Sequence, residues 1–138
     1  MRWRIVLLVA AMMAVLAVAG GAAVAAAIDG TRGDDRIRGT NARDQLTGRG
    51  GADVLWGLRS ADTLNGDSGR DTIYTGPKDE SSRDVVDASA GNDVVRAFKR
   101  PASKDVIDCG PGRDRETADP RDVSDGCNRV SRPWNPDG

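Results

Sequence analysis

Aspartate recurs along this chain at intervals of nine. Asp35, Asp44, Asp53, Asp62 and Asp71 form an unbroken series, and Asp84, Asp93, Asp105 and Asp114 continue it across two insertions. Of the 21 acidic residues, only Glu80 and Glu116 are not Asp. Asp is a poor helix former and a good turn residue. Its carboxylate is also a hard oxygen ligand on a short stem. The series therefore reads either as cation ligands or as turn formers. Histidine is absent, which excludes Ser-His-Asp and Cys-His catalysis and His-ligated zinc. Nothing gathers a nucleophile and a base in one place.

The elements that must position these residues are as regular as the residues. From Gly30 the chain divides into contiguous nonamers: GTRGDDRIR, GTNARDQLT, GRGGADVLW, GLRSADTLN and GDSGRDTIY. Asp holds the sixth place of each. Ile37, Leu46, Leu55, Leu64 and Ile73 hold the eighth. The pattern continues through TGPKDESSRDVVD, ASAGNDVVR and AFKRPASKDVID, with Val86, Val95 and Ile107 in the apolar place. CGPGRDRET keeps Gly112 and Asp114 but puts Glu116 there, so the strand pattern is expected to stop at that unit. Each unit splits into a six-residue turn and a strand triplet whose middle residue faces inward. Glycine suits a turn that needs positive φ.

This pattern resembles the hemolysin-type (RTX) calcium-binding repeat, G-G-x-G-x-D-x-U-x with U large and apolar. The resemblance covers roughly Gly30 to Thr117. It departs from the family at the second glycine, replaced by Thr31, Thr40, Arg49, Leu58 and Asp67, and at the fourth in alternate units. The resemblance implies an all-β fold, a parallel β-roll or β-helix solenoid of about 4–5 coils, with two nonamers per coil. It also implies Ca2+ as the cofactor. Stacked strands lie about 4.8 Å apart, and calcium–oxygen bonds are about 2.3–2.6 Å. An ion between successive turns therefore matches one coil step, whereas octahedral magnesium at about 2.0–2.1 Å fits worse. The apolar core is thin for the length of chain to be ordered. A chain largely disordered without calcium and folded with it is expected.

Units one coil apart share an edge. The odd units all keep glycine in the fourth place, at Gly33, Gly51, Gly69, Gly91 and Gly112. The even units never do: Ala42 and Ser60 stand there, and both insertions follow on the same edge. The odd edge is therefore expected to be the main calcium edge. Asp35, Asp53, Asp71, Asp93 and Asp114 supply carboxylates, and Gly33, Gly51, Gly69 and Gly91 supply backbone oxygens. The successive pairs Asp35/Asp53, Asp53/Asp71, Asp71/Asp93 and Asp93/Asp114 would bracket up to four ions. Asp44, Asp62, Asp84 and Asp105 on the even edge are expected to bind weakly or to cap their turns.

The ends differ from the repeat. Met1 to Arg4 is basic, Ile5 to Ala19 is apolar, and GGAAVAAA follows, the pattern of a signal peptide over residues 1–27 cleaved after Ala25, Ala26 or Ala27. Ile5 to Ala27 is also long enough for an uncleaved anchor, but its alanine-rich end is weakly apolar. Without Arg2 and Arg4, the 20 basic residues become 18 against 21 acids, a net charge of −3. That balance does not favour nucleic acid or an acidic membrane. In an exported chain Cys109 and Cys127 read as a disulfide. Residues 118–138 read as a polar, disulfide-tethered cap and tail over the last coil, frayed from about Val130. Trp56 and Tyr74 share a ninth place one coil apart and are expected to stack. PKDESS reads as a solvated loop.

The leading functional reading is a secreted calcium-binding solenoid without catalysis of its own, monomeric, acting structurally or on an extracellular or cell-surface partner. Membrane contact would require an uncleaved leader. A small secreted hydrolase with RTX-like repeats is the alternative, weakened by the missing histidine and the lack of a separate catalytic domain. A calcium-independent Gly/Asp-rich linker is a third, against which the regular Ile/Leu/Val placement speaks. The family's exported toxins and proteases carry a C-terminal secretion signal and an effector domain, so neither function is expected here.

Overall fold

The structure is a computed structural model that describes residues 24–77, 82–99 and 103–133. The residues read as a leader up to 23, residues 78–81 within PKDESS, residues 100–102 and the last five residues lie outside the described residues. Those present form twelve three-residue strands and no helix. In order they are β1 (Ala27–Asp29), β2 (Arg36–Arg38), β3 (Gln45–Thr47), β4 (Val54–Trp56), β5 (Thr63–Asn65), β6 (Thr72–Tyr74), β7 (Val85–Asp87), β8 (Val94–Arg96), β9 (Val106–Asp108), β10 (Arg115–Thr117), β11 (Val123–Asp125) and β12 (Arg129–Ser131). Each strand pairs in parallel with the strand two places away, never with its sequence neighbour. One sheet runs β1-β3-β5-β7-β9-β11 and the other β12-β10-β8-β6-β4-β2. The chain is a parallel β-solenoid of the β-roll kind, two strands to a coil.

The register explains the core. Ile28, Leu46, Leu64, Val86 and Ile107 are successive Cα partners in the first sheet, and Ile37, Leu55, Ile73 and Val95 in the second. All eight inward residues named from the repeat are buried. Ala88, Ala97 and Cys109 join them where glycine opens other units. Outside the core, the Trp56 and Tyr74 rings stack with centroids 5.8 Å apart and planes within 8°. The Arg96 guanidinium lies 5.9 Å from the Tyr74 centroid.

The strand pattern does not stop at Thr117. Glu116 is buried in the middle of β10, and its Oε1 accepts a hydrogen bond from Ser124 Oγ of β11 at 2.7 Å. A polar pair thus fills the core where two apolar residues would stand, and the hydrogen-bond ladder carries on. β11 and β12 extend the two sheets from shortened units, so Val130 lies in a strand. At the other end β1 adds a strand before Gly30, pairing Ile28 with Leu46. The Cys109–Cys127 disulfide is present across 18 residues. It staples the ends of β9 and β11, one coil apart, and the intervening chain forms strands β10 and β11.

Candidate metal-binding edges

The aspartates form two ladders, one along each edge. On the odd edge the Asp35 N–H donates to Asp53 Oδ1 at 2.8 Å, and Asp53 donates in turn to Asp71 at 2.9 Å. Asp71 donates to Asp93 at 2.8 Å and Asp93 to Asp114 at 2.9 Å. The series ends on Asn128 Oδ1, 2.8 Å from Asp114 N. On the even edge the ladder starts at Ala26 and runs through Asp44, Asp62, Asp84 and Asp105 to Asp122, with steps of 2.7–2.9 Å. Each predicted pair on the odd edge is thus brought together, carboxylate to backbone, one coil apart.

One carboxylate oxygen is used in this way and the other is not. Asp53, Asp71, Asp93 and Asp114 on the odd edge each leave Oδ2 buried with no hydrogen-bond partner. These side chains turn inward, and all four residues are at most 1% exposed. A buried unpaired carboxylate oxygen is costly. The first two aspartates escape that cost. Asp35 Oδ2 accepts from Thr31 N and Oγ1, and Asp44 Oδ2 from Thr40 N. There threonine in the second place does the local turn-capping that is the bland role for such residues.

The glycines divide their work by position. The first glycine of a unit supplies space. The points that a Cβ would occupy at Gly57 and Gly66 lie 2.7 and 2.5 Å from the Oδ2 of Asp62 and Asp71. The carbonyl oxygens of Thr75 and Ala88 lie 2.5 and 2.9 Å from the same two points. Besides the fourth place, at Gly51, Ser60 and Gly69, the positive φ expected of these turns falls on the second, at Arg49, Leu58, Asp67 and Ser89, with φ between 63 and 78°. It is there that this chain lacks the family's glycine. The fourth glycines of the odd edge stack backbone on backbone. A Cβ on Gly69, Gly91 or Gly112 would overlap the carbonyl of the glycine one coil earlier, and one on Gly51 would meet Gly33. At the same place on the even edge Ser60 keeps its side chain, with φ 79°, and bonds the Asn41 carbonyl at 2.9 Å.

The donors fit a hard cation. Buried carboxylate oxygens without partners and turn carbonyls beside them are what calcium takes. Among the described residues no three acidic side chains converge as a ready cage, so backbone oxygens would have to complete the shell. Burial pushes Asp71 and Asp93 up to about 6, with neighbouring carboxylates acting in the same direction, and raises Asp53 for the same reason. Asp122 rises to about 7 through burial. These groups bind more protons folded than unfolded. Without metal, the stability they confer is full below about pH 4 and is lost as pH rises through 6 to 7. Chelated protein is therefore expected to gain β-sheet circular dichroism and melting temperature as pH falls from 7.5 to 4.5. Each kcal/mol of net effect is worth roughly 4–8 °C, and a flat profile would contradict the raised carboxyls.

Three participants were not singled out from the sequence. Asp122 and Asn128 take the aspartate role in shortened units whose spacing hides them. Lys99, in the second insertion, enters the even edge between Asp84 and Asp105. Nothing in AFKRPASKD distinguishes it from its basic neighbours.

The RTX calcium-binding nonapeptide repeat family, in four copies, matches residues 29–60, 56–77 and 80–97. No curated protein and no solved structure matches the chain. The family's repeats are structural calcium-binding modules, and the matched residues include strands β2 to β8 and the ladder aspartates from Asp35 to Asp93. The nonamer period, the parallel solenoid and the family match agree, and the chain is an RTX-type calcium-binding repeat protein.

Proposed function

We propose that this chain is a secreted, non-catalytic β-roll that folds on binding Ca2+ and serves as a structural or interaction module. The observation that carries the reading is the row of four buried, partnerless carboxylate oxygens along the odd edge. Asp53, Asp71, Asp93 and Asp114, with Asp35 at the end of the row, would hold the ions, assisted by backbone oxygens of Gly33, Gly51, Gly69 and Gly91. Bound calcium supplies positive charge between coils. The chain's own groups do the rest: Oδ1 ties each coil to the last, Oδ2 stays available, and the first glycine leaves room beside it. The even edge is the weaker one. Asp44 is met by Thr40, Asp84 by Lys99, and Lys99 also approaches Asp105.

Removing calcium with excess chelator at pH 7.5 should abolish most of the far-UV β-sheet signal, and restoring it should refold the chain with up to four ions bound. Binding in the range of about 10⁻⁴–10⁻³ M, that of extracellular calcium modules, would suit folding after export. An unchanged spectrum in chelator would overturn the reading.

A further inference from the structure

The second even-edge insertion buries a lysine. Lys99 is 1% exposed. Its ammonium lies 2.5 Å from Asp84 Oδ2, 3.3 Å from Asp105 Oδ2 and 3.0 Å from the Ser82 carbonyl oxygen. All three side chains of this cluster are fully buried. The two aspartates are consecutive rungs, since Asp84 N–H donates to Asp105 Oδ1 at 2.9 Å. The lysine backbone is anchored as well, its N–H donating to Asp119 Oδ2 at 3.1 Å. An ammonium therefore sits at one coil step with a carboxylate from each coil and a turn carbonyl around it. Its three donors meet three oxygens.

That oxygen set is the one a hard divalent cation would take. On the opposite edge of the same coils, Asp93 Oδ2 and Asp114 Oδ2 are buried with no partner. We propose that Lys99 is a built-in cation filling the Asp84–Asp105 step, so that this step takes no calcium while its odd-edge counterpart does. The proposal rests on the calcium reading of the ladders. Burial draws the lysine down, but the Asp84 and Asp105 carboxylates hold it above its ordinary value, and burial raises Asp84 only to about 6. A calcium ion would have to expel a tethered ammonium that already satisfies both carboxylates. The insertion thus converts one metal site into an intramolecular clamp, and the even edge needs less calcium than the repeat count implies.

The test is calcium stoichiometry by calorimetry and ion counting on the full chain and on Lys99→Met. Methionine keeps the length and removes the charge. The variant should bind one more calcium ion than the parent, and adding Asp84→Asn and Asp105→Asn should remove that ion again. Equal counts in parent and K99M, with the parent binding calcium, would overturn the lysine proposal alone. A parent that binds no calcium would overturn the ladder reading and this proposal with it. An independent measurement needs no variant. In calcium-loaded parent protein, amine-directed labelling read by mass spectrometry should modify Lys99 on the order of tenfold or more slowly than exposed Lys104. Equal labelling would show that the ammonium has been displaced, against the proposal.

Discussion

Replacing Asp53 and Asp71 together by Asn should separate the two jobs of the ladder. Asn keeps an oxygen for the Asp35 and Asp53 N–H groups that now bond Oδ1. It replaces the buried, partnerless Oδ2 of both residues with a neutral amide. Without calcium the double variant should be as stable as the parent or gain roughly 1–3 kcal/mol, since an unsatisfied buried oxygen carries a cost of that order. In calcium the order should reverse. The pair contributes to three of the four odd-edge steps, so most bound ions should be lost. Each site held at a hundredfold excess over Kd is worth about 2.7 kcal/mol, which makes the loss several kcal/mol. The matching change at Asp44 and Asp62 should cost fewer ions, because Thr40 already meets Asp44. Melting curves with and without chelator, together with ion counts, check this. Equal losses from the two edges would refute the asymmetry, and an Asn variant with less β-sheet signal than the parent in chelator would refute the orphaned-oxygen account.

Gly69→Ala should be among the most damaging single changes. A Cβ there would overlap the Gly51 carbonyl one coil earlier, and the residue sits at φ 138°. Overpacking costs about 1–3 kcal/mol, and placing an L residue at positive φ adds about 1–2 kcal/mol. A total near 2–5 kcal/mol is a large part of the 5–15 kcal/mol that typically holds a domain. In saturating calcium the melting temperature should fall by on the order of 10 °C or more. Ser60→Gly, the equivalent place on the even edge, should stay within about 1 kcal/mol. It loses one hydrogen bond to Asn41 and relieves a side chain at φ 79°. A Gly69→Ala variant that melts like the parent would mean the odd-edge turns are not stacked as tightly as the structure has them.

The repeat was legible because it is local. A turn of fixed length, an aspartate in the sixth place and an apolar residue in the eighth recur within nine residues, and a period of that kind needs no partner to be seen. Sheet order, inward residues and the Trp56–Tyr74 stack follow from it by counting. The ends were less legible for a reason of chemistry. Glu116 reads as an interruption when the eighth place is required to be apolar. A Ser124 hydroxyl across the core makes it acceptable, and β11 and β12 follow from units too short to show the period. Ala26 stands nine residues before Asp35, where the period would put an aspartate, so the first strand could be seen only once Gln45 N–H donated to the Ala26 carbonyl and Ala26 N–H to Asp44 Oδ1.

The loss of the fourth glycine on alternate units marked two unlike edges, but not their physical difference. That lies in how closely one coil approaches the next, across contacts 18 to 22 residues apart in the chain. Stacking decides that Gly69 has no room for a Cβ and that Ser60 does. It also decides that the second place, not the first, takes positive φ. The sequence by itself determined a nonapeptide solenoid with a carboxylate at every turn. Only the tertiary structure decided what each carboxylate faces: a backbone N–H one coil away, a threonine, the ammonium of Lys99, or no partner at all. A side chain's neighbours along the solenoid axis belong to other coils, and no nine-residue pattern contains them.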